Sequence, residues 1–221
     1  MDELDDLLFE PPEIGTGLYM PGLPGGGSTI YDRSVNGHNG TIAGATWEKT
    51  EGGLWGLKYD GIDDVVELQD ITGVVDLTVL AWIWIDNTTG WHGIFGSDHW
   101  SHDGDVLIQS STTKPTLTVR GNDGANQNPT TTYTVKTWEH RGWVYRSAAK
   151  TYAFYYNGEP DGDGSYTTAY TPDLTSIVYG KTYTDRWWKG KLGFPLRFYP
   201  RELSAFEVIN IFQQERHFFG V

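Results

Sequence analysis

The stretch that decides the fold begins at Asp32 as Asp-Arg-Ser-Val-Asn-Gly-His-Asn-Gly-Thr-Ile-Ala-Gly-Ala-Thr-Trp47, and it resumes as Leu57-Lys-Tyr-Asp-Gly-Ile-Asp-Asp-Val-Val-Glu-Leu68. Asp32 and Asn36 carry short polar side chains that bond to nearby backbone in turns. Asp60-Gly61 is a hairpin turn signal, and Asp63-Asp64 stands where the next strand should begin. Closely spaced turn signals between short apolar runs predict a protein built of β-strands.

A longer apolar segment downstream predicts a strand in the middle of a sheet. Successive side chains of a strand point to opposite faces, and both faces are apolar here. One face carries Leu77, Val79, Ala81, Ile83 and Ile85, and the other carries Thr78, Leu80, Trp82 and Trp84. Two further period-two segments, residues 142–145 and 152–156, come before the turn signal Asn157-Gly158 and predict a hairpin pair.

The composition indicates one domain of this kind. The chain has 221 residues, of which 38% are hydrophobic, and its 28 glycines supply many turns, which suits one β-sandwich with a packed core. One segment is typical of a helix, because Ser204 and Glu207 form a capping box whose side chains satisfy exposed backbone N–H groups. We expect this helix to dock through its apolar residues, Phe206, Val208, Ile209, Ile211 and Phe212.

These motifs resemble the laminin-G-like jelly roll of the concanavalin A-like lectin and glucanase superfamily. In that family an Asp-x-Ser-Gly-x-Gly-Asn loop precedes a short strand, a Trp and a Phe-Asp-Gly-x-Asp-Asp-Tyr-Val turn, an order that residues 32–40 and 59–66 fit. Residues 77–85, 138–145, 154–158 and 190–204 resemble the later strands and the terminal helix. The resemblance implies an all-β fold, a two-sheet antiparallel β-sandwich (jelly roll) with one short C-terminal helix, over residues 17–221.

Residues 1–16 form an acidic arm outside this resemblance. The arm contains prolines and a short apolar stripe of Leu4, Leu7 and Leu8, followed by Phe9. One interpretation is a solvated tail, since so short a helix is marginal alone in water. The other is a docking peptide, in which the stripe adds to a groove or a sheet edge of a neighbouring subunit.

The net charge of the chain and its lack of visible targeting signals restrict the partners and locations that we expect. The formal net charge is −13, and without clustered Lys and Arg we expect no binding to nucleic acid or to anionic membrane surfaces. No run reaches the about 18 apolar residues of a membrane-spanning helix, and no secretory signal is visible. We therefore expect a soluble protein without membrane insertion, made in the cytoplasm and open to display on a virion or another extracellular assembly.

The carboxylate pattern argues against an enzyme. Glucanases of the superfamily use Glu-x-Asp-x-x-Glu or a close variant on one strand, and no segment here reproduces that spacing. Glu67-Leu-Gln-Asp70 is spaced differently, and Glu159 to Asp163 is expected to follow a hairpin turn instead of lying along a strand. A retaining pair needs carboxyl groups about 5 Å apart. The chain also lacks a Gly-x-Ser-x-Gly elbow and any Cys, so we expect no catalytic residue.

Calcium is the one cofactor that the resemblance implies. Many laminin-G-like domains hold a cation with a carboxylate and loop carbonyl oxygens, and Asp32 stands where such a ligand would be. The acidic pair usual in the family's closing strand is missing, because Gly190-Lys-Leu-Gly-Phe-Pro195 occupies that place. The alternative role of Asp32 is to form the turn with its side chain. Asp161-Gly-Asp-Gly164 lacks the third acid and the distant Glu of a calcium loop, and we expect a tight exposed turn there.

Aromatic residues in two segments are the candidate ligand-binding residues. Sugar rings stack on flat side chains while polar groups fix their orientation. The first segment, predicted to connect two strands, contains Trp91, His92, His99, Trp100, His102 and Asp103, and the second contains Tyr183, Trp187 and Trp188. Trp188 matches a buried aromatic of the family, so Trp187 should point the opposite way. Trp91 and Trp100 have a second interpretation, as a small cluster packed under a long loop.

A transition metal is a further alternative for the first segment. His99 and His102 are three residues apart and could bind an ion together with Asp103, although the sequence offers no fourth ligand.

Three functions remain open on the sequence. The first is a non-catalytic recognition or adhesion module that binds glycans or a glycosylated surface through Trp91, His99, Trp100, His102, Tyr183 and Trp187. The second is a structural subunit of a homo-oligomer, particle or filament, such as a virion decoration protein, docked by Leu4, Leu7, Leu8 and Phe9. The third is a glycoside hydrolase.

Overall fold

The computed structural model describes residues 15–121 and 126–221. In chain order the strands are β1 (Leu18–Met20), β2 (Thr29–Ile30), β3 (Gly40–Ala43), β4 (Thr46–Lys49), β5 (Trp55–Asp60), β6 (Val65–Glu67), β7 (Asp76–Ile85), β8 (Trp91–Ser97), β9 (Val106–Ser111), β10 (Lys114–Val119), β11 (Glu139–Arg146), β12 (Thr151–Tyr156), β13 (Glu159–Ser165), β14 (Ile177–Tyr179), β15 (Lys181–Thr182), β16 (Arg186–Trp187) and β17 (Lys189–Tyr199). Helix α1 (Ala205–Glu215) and a 3₁₀ helix (Arg216–Phe219) follow.

The strands form two large sheets. The eight-stranded sheet has the order β13-β12-β11-β7-β17-β5-β4, with β1 also paired to β17, and the seven-stranded sheet has the order β10-β9-β8-β14-β6-β3-β2. Strands β15 and β16 pair with each other in a small ribbon. Neighbouring strands in these sheets are antiparallel. The predicted antiparallel β-sandwich with one short C-terminal helix is confirmed.

Strand β7 lies at the centre of the eight-stranded sheet, as its two apolar faces predict. It pairs with β11 on one side and β17 on the other. Leu77, Val79, Ala81, Ile83 and Ile85 are buried in the main core. Leu80 and Trp82, on the opposite face, pack in two smaller clusters with residues of the C-terminal helices. The core therefore lies between the sheets, and helix α1 covers the outer face of the eight-stranded sheet.

Helix α1 begins at the predicted capping box. The Ser204 side chain accepts a hydrogen bond from the Glu207 N–H, and the Glu207 side chain accepts one from the Ser204 N–H. Val208, Ile211 and Phe212 are buried, but Phe206 is 74% exposed, so the prediction that Phe206 docks the helix is wrong. Phe206 lies in the first helical turn, on the side away from the sheet that Val208 and Ile211 contact.

Residues 159–165 follow the hairpin turn, as expected, but they form strand β13. The expectations that residues 159–163 do not lie along a strand and that residues 161–164 form a tight exposed turn are therefore wrong. Asp161 is 5% exposed, and its Oδ2 lies 3.1 Å from Nη1 of the buried Arg141. A buried guanidinium needs carboxylate partners, and Arg141 takes Asp161 together with Glu139, whose Oε2 lies 2.8 Å from Nη2. The partner of Asp161 is on another strand, which the local sequence does not reveal.

The Asp60-Gly61 turn also differs from the expected hairpin. It connects β5 of the eight-stranded sheet to β6 of the seven-stranded sheet, so the chain crosses from one layer to the other. The Asn157-Gly158 turn does join a hairpin, between β12 and β13. Both of its residues have positive φ, +48° and +82°, as a tight hairpin turn requires.

Residues 1–14, with Leu4, Leu7, Leu8 and Phe9, lie outside the described residues, and the acidic arm stays a prediction. The described chain enters the sandwich at Gly17, whose N–H donates to the Phe198 carbonyl at 2.8 Å. Within residues 15–121 and 126–221, no helix has the length and apolarity that crossing a bilayer requires.

Candidate functional site

The outer face of β8, β9 and β10 carries a polar surface. Val106 and Ile108 of β9 point into the main core, so Leu107 and Gln109 point outward. Thr118 of β10 lies opposite Leu107 in the register, and its Oγ1 donates to Oδ1 of Asn126 at 2.7 Å. These side chains form the floor of a candidate site on the seven-stranded sheet.

The β15-β16 ribbon folds over this floor. Its close approach depends on Gly93 of β8, where a Cβ atom would overlap the backbone of Thr182 and Arg186. Gln109 fixes the ribbon, because its Oε1 accepts hydrogen bonds from Thr182 Oγ1 at 3.1 Å and from Arg186 Nη1 at 2.7 Å. A single side chain of the sheet thus positions both ends of the ribbon's turn.

Between the floor, the ribbon and the Trp100 loop lies a cavity of about 240 Å³, which we call the Arg186 pocket. The pocket is lined by Trp91, Trp100, Leu107, Gln109, Thr118, Asn126, Tyr183 and Arg186. The Arg186 guanidinium lies over two aromatic rings, 4.6 Å from the centroid of Trp91 and 5.1 Å from that of Tyr183. Such cation–π contacts hold the guanidinium in place.

Partial burial lowers the pKa of Arg186 from its ordinary value, while the charges of Asp185 and Tyr183 act in the opposite direction. An arginine side chain nevertheless stays protonated at neutral pH. The pocket therefore combines flat apolar rings, neutral hydrogen-bonding groups and one fixed positive charge, the combination found in sites that orient polar ligands.

The structure brings three of the predicted ligand-binding residues together, because Trp91, Trp100 and Tyr183 all line this pocket. Trp91 belongs to a strand and not to a connecting loop, since residues 91–97 form β8. Trp188 is fully buried, as predicted. Trp187 lies beside the pocket on the ribbon, with Lys181 Nζ 4.4 Å from its ring centroid.

Sequence reasoning missed Arg186, Gln109, Thr118 and Asn126. Arg186 stands within the aromatic segment at 183–188, so its charge beside Trp and Tyr was a visible signal. Gln109 is a polar residue within the apolar strand β9, which indicates a functional or structural partner on the outer face. The pairing of Thr118 with Asn126 gave no local signal, because the two residues are eight positions apart.

His99 and His102 lie in the loop that also carries Trp100. His99 Nδ1 is 3.1 Å from Asp105 Oδ2, which also accepts hydrogen bonds from the Ser101 and His102 N–H groups. His99, His102 and Asp105 could hold a metal ion, and their ligand atoms lie within 4.8 Å of one another. Asp105 therefore replaces the predicted Asp103 as the third residue. Two imidazoles and a carboxylate are a zinc-type ligand set.

A second group that could hold a cation consists of Asp60, Asp63 and Asp64. Burial raises the pKa of Asp64, and repulsion from the Asp60 and Asp63 carboxylates adds to the rise, while a hydrogen bond from the Asp60 N–H opposes it. This hydrogen bond, 2.8 Å from Asp60 N to Asp64 Oδ2, closes the turn between β5 and β6.

The Asp32 carboxylate accepts hydrogen bonds, most of them from residues of its own loop. Its Oδ1 accepts hydrogen bonds from the N–H groups of Tyr19 and Ser34, and its Oδ2 accepts from Ser34 Oγ and the His38 N–H, all at 2.7–2.8 Å. Within the described ranges Asp32 belongs to no group of three metal-ligating side chains. This is the turn-forming role that the sequence allowed, and the calcium role stays a prediction.

Comparison with solved structures shows the same fold at low sequence identity. The Trypanosoma rangeli sialidase in complex with sialic acid aligns with a TM-score of 0.69 and 16% identity over 94% of this chain and 34% of its own. The binding domain of botulinum neurotoxin serotype G aligns at 0.71 and 10%, over 90% and 51%. The receptor binding domain of botulinum neurotoxin D aligns at 0.68 and 12%, over 91% and 53%. The chain thus spans about half of each toxin domain and about a third of the sialidase.

Sequence comparison identifies the family. No curated protein matches the chain. Residues 60–209 match the laminin G-like model described as the Concanavalin A-like lectin/glucanases superfamily. The matched region contains the Arg186 pocket and most of both sheets, although the Asp32 loop precedes it. The chain therefore belongs to the laminin G-like family of the concanavalin A-like lectin/glucanase superfamily.

Proposed function

We propose that this protein is a non-catalytic recognition module that binds glycans in the Arg186 pocket. The observation that carries the proposal is the meeting of Trp91, Trp100 and Tyr183 around one cavity with Gln109 and Asn126 at its polar positions. Aromatic faces bind the C–H surfaces of sugars, and amide side chains can bond to hydroxyl groups. The lectin-like fold and similarity to toxin binding domains support a binding role.

A glycan array with purified protein tests this proposal, first with calcium and then with a chelator. We expect defined glycans to bind, and Trp91→Ala to weaken the binding about tenfold or more, as truncating a central aromatic contact does. Tyr31→Ala is a matched control, because Tyr31 is 40% exposed and Trp91 38%, and Tyr31 lies next to β2 at the opposite edge of the sheet from β10. If no glycan on the array binds, or if the two substitutions weaken binding equally, the proposed site is wrong.

The chemistry of the pocket supports binding without hydrolysis. The two-carboxylate mechanism needs an acid and a nucleophile or base on either side of the glycosidic bond, and none of the described residues that line the pocket is Asp or Glu. The sialidase similarity keeps hydrolysis as a tested alternative. Chromatography of glycans after long incubation with the protein measures it, and released sugar would show an enzyme.

A second candidate function, a structural subunit docked by its arm, is favoured by a groove on the helix side. Phe206 is 74% exposed and borders a cavity of about 390 Å³ with Tyr199, Leu203 and Ile211. The described chain starts next to this groove, since a Cβ at Gly15 would lie 3.7 Å from Arg201 Nε. We infer that residues 1–14 of one copy dock in this groove on a neighbouring copy. Light scattering of a chain lacking these residues, beside the full chain, should show smaller assemblies, and equal sizes would contradict docking.

A further inference from the structure

We propose that the Arg186 pocket selects sugars that carry a negatively charged group, a carboxylate or a sulfate. This inference rests on the proposed glycan function and adds the chemical class of the ligand. Its basis is the Arg186 guanidinium, a positive charge held at the pocket wall without a carboxylate partner among the described residues.

Of the five described arginines that are buried or half-buried, three pair with an acid, whereas Arg120 and Arg186 form no ion pair within the described ranges. Arg141 pairs with Glu139 and Asp161, Arg146 with Glu202, and Arg197 with Glu215. Removing a guanidinium from water is costly unless an anion compensates it. Arg186 is half-buried, yet within the described ranges its side chain hydrogen-bonds to a neutral amide, that of Gln109. The missing anion is what a ligand would supply.

The geometry leaves Arg186 able to bind such an anion. The Arg186 Cζ atom lies over the faces of the Trp91 and Tyr183 rings, and the guanidinium carries five N–H donors. One of these donors is directed at Gln109. The planar fork matches the spacing of carboxylate or sulfate oxygens, and these charge-assisted hydrogen bonds are about twice as strong as neutral ones.

The charge around the pocket differs from that of the whole chain. The formal net charge is −13, but the described residues that line the pocket include one cation and no acid. The Asp185 charge acts on Arg186 from outside this lining. Arg120 adds a second positive charge beside the pocket, with Cζ 5.4 Å from the Trp100 ring centroid and Nη1 donating to the Trp100 carbonyl. The net negative charge disfavours a polyphosphate backbone as the ligand. A small acidic sugar, which needs one local cation, fits this distribution.

The test uses three oligosaccharides with a common neutral backbone: one ending in sialic acid, one carrying a terminal sulfate and one unmodified. Calorimetry with the full chain should show one or both acidic forms binding about tenfold or more tightly than the neutral form, the gain expected of a charge-assisted pair. Comparison of the two acidic forms identifies the group recognised. Equal affinity for all three would overturn the charge selection while leaving glycan binding intact, and binding of none would overturn the proposed function itself.

Substitutions assign the selectivity to Arg186. In Arg186→Gln the ratio of the affinity for the acidic forms to that for the neutral form should fall about tenfold or more, both measured on the same variant. Arg33→Gln is the matched control, because Arg33 is exposed and its Cζ lies 5.6 Å from the Tyr31 ring centroid. Arg186→Lys keeps the positive charge and serves as a control for misfolding of the variants at this position. An acidic preference that survives in a folded Arg186→Gln chain would overturn the assignment.

Discussion

Acidification should destabilise this protein through His140, a buried and neutral imidazole. Burial is the main cause that lowers the pKa of His140 to about 3, and the positive charge of Arg197 adds to it. The ring packs 5.1 Å from Trp82 and 5.8 Å from Phe212, measured between centroids, and its Nδ1 has no hydrogen-bond partner among the described residues. Burial and the positive charge of Arg197 both disfavour an imidazolium at this position.

The magnitude follows from the protons that each state binds. An unfolded histidine titrates near 6.5, so between pH 6.5 and about 3 the unfolded chain takes up a proton that the folded chain refuses. The contribution of His140 to the unfolding free energy is therefore complete above pH 6.5 and is lost as the pH falls. Each pH unit in this window costs about 1.4 kcal/mol. At pH 5 we expect a loss of about 2 kcal/mol, a large part of the stability of an ordinary domain.

The assay is urea unfolding followed by tryptophan fluorescence at pH 7, 6 and 5, on the full chain and on His140→Phe. The phenyl ring keeps the packing against Trp82 and removes the titrating group. The difference in unfolding free energy between the two chains should move by about 2 kcal/mol in favour of the variant between pH 7 and 5. His102→Phe, at an exposed site, controls for the other titrating groups. Parallel pH curves for wild type and His140→Phe would refute the reasoning.

Three other predictions concern the ion pair under helix α1, the ribbon and the Asp32 loop. Glu215→Gln removes the carboxylate that pairs with the buried Arg197, and chemical unfolding should show a loss of about 3–5 kcal/mol. A loss below 1 kcal/mol would contradict the pairing seen at 2.6 Å. Gly93→Ala should push the β15-β16 ribbon away from β8, so the affinity for glycans should fall while the circular dichroism spectrum stays that of a β-sandwich. Gly26→Ala is the control, because a Cβ atom there meets nothing within 4 Å, and this variant should bind glycans normally. Asp32→Ala removes four hydrogen bonds and should lower the melting temperature equally with calcium and with chelator, whereas a calcium-dependent difference would favour the metal role.

Much of the sandwich was predictable because its signals are local. The two apolar faces of β7, the Asn157-Gly158 turn and the Ser204 capping box each depend on residues close in sequence, and all three are confirmed. Period-two alternation reveals a strand, but not its neighbours in the sheet. The prediction of a hairpin at Asp60-Gly61 was wrong for this reason: the strand after the turn joins the opposite sheet.

The candidate site was predictable in part. Its aromatic residues stood out by type, so Trp91, Trp100 and Tyr183 could be named before their positions were known. The contact between Arg186 and Gln109 could not be predicted, because it joins residues 77 positions apart. Asp161 shows the same limit, since an acid next to Gly is typical of a turn, and its partner, the buried Arg141, lies two strands away in the sheet.

The two outer faces of the sandwich carry different features, so the molecule has two distinguishable sides. Strand β1 and helix α1 both belong to the layer of the eight-stranded sheet, whereas the Arg186 pocket opens on the outside of the other sheet. A tether or support that holds the protein by the helix side would leave the pocket facing away from it. Copies arrayed in that way would present a layer of identical pockets to the same target, and many weak contacts would then act together.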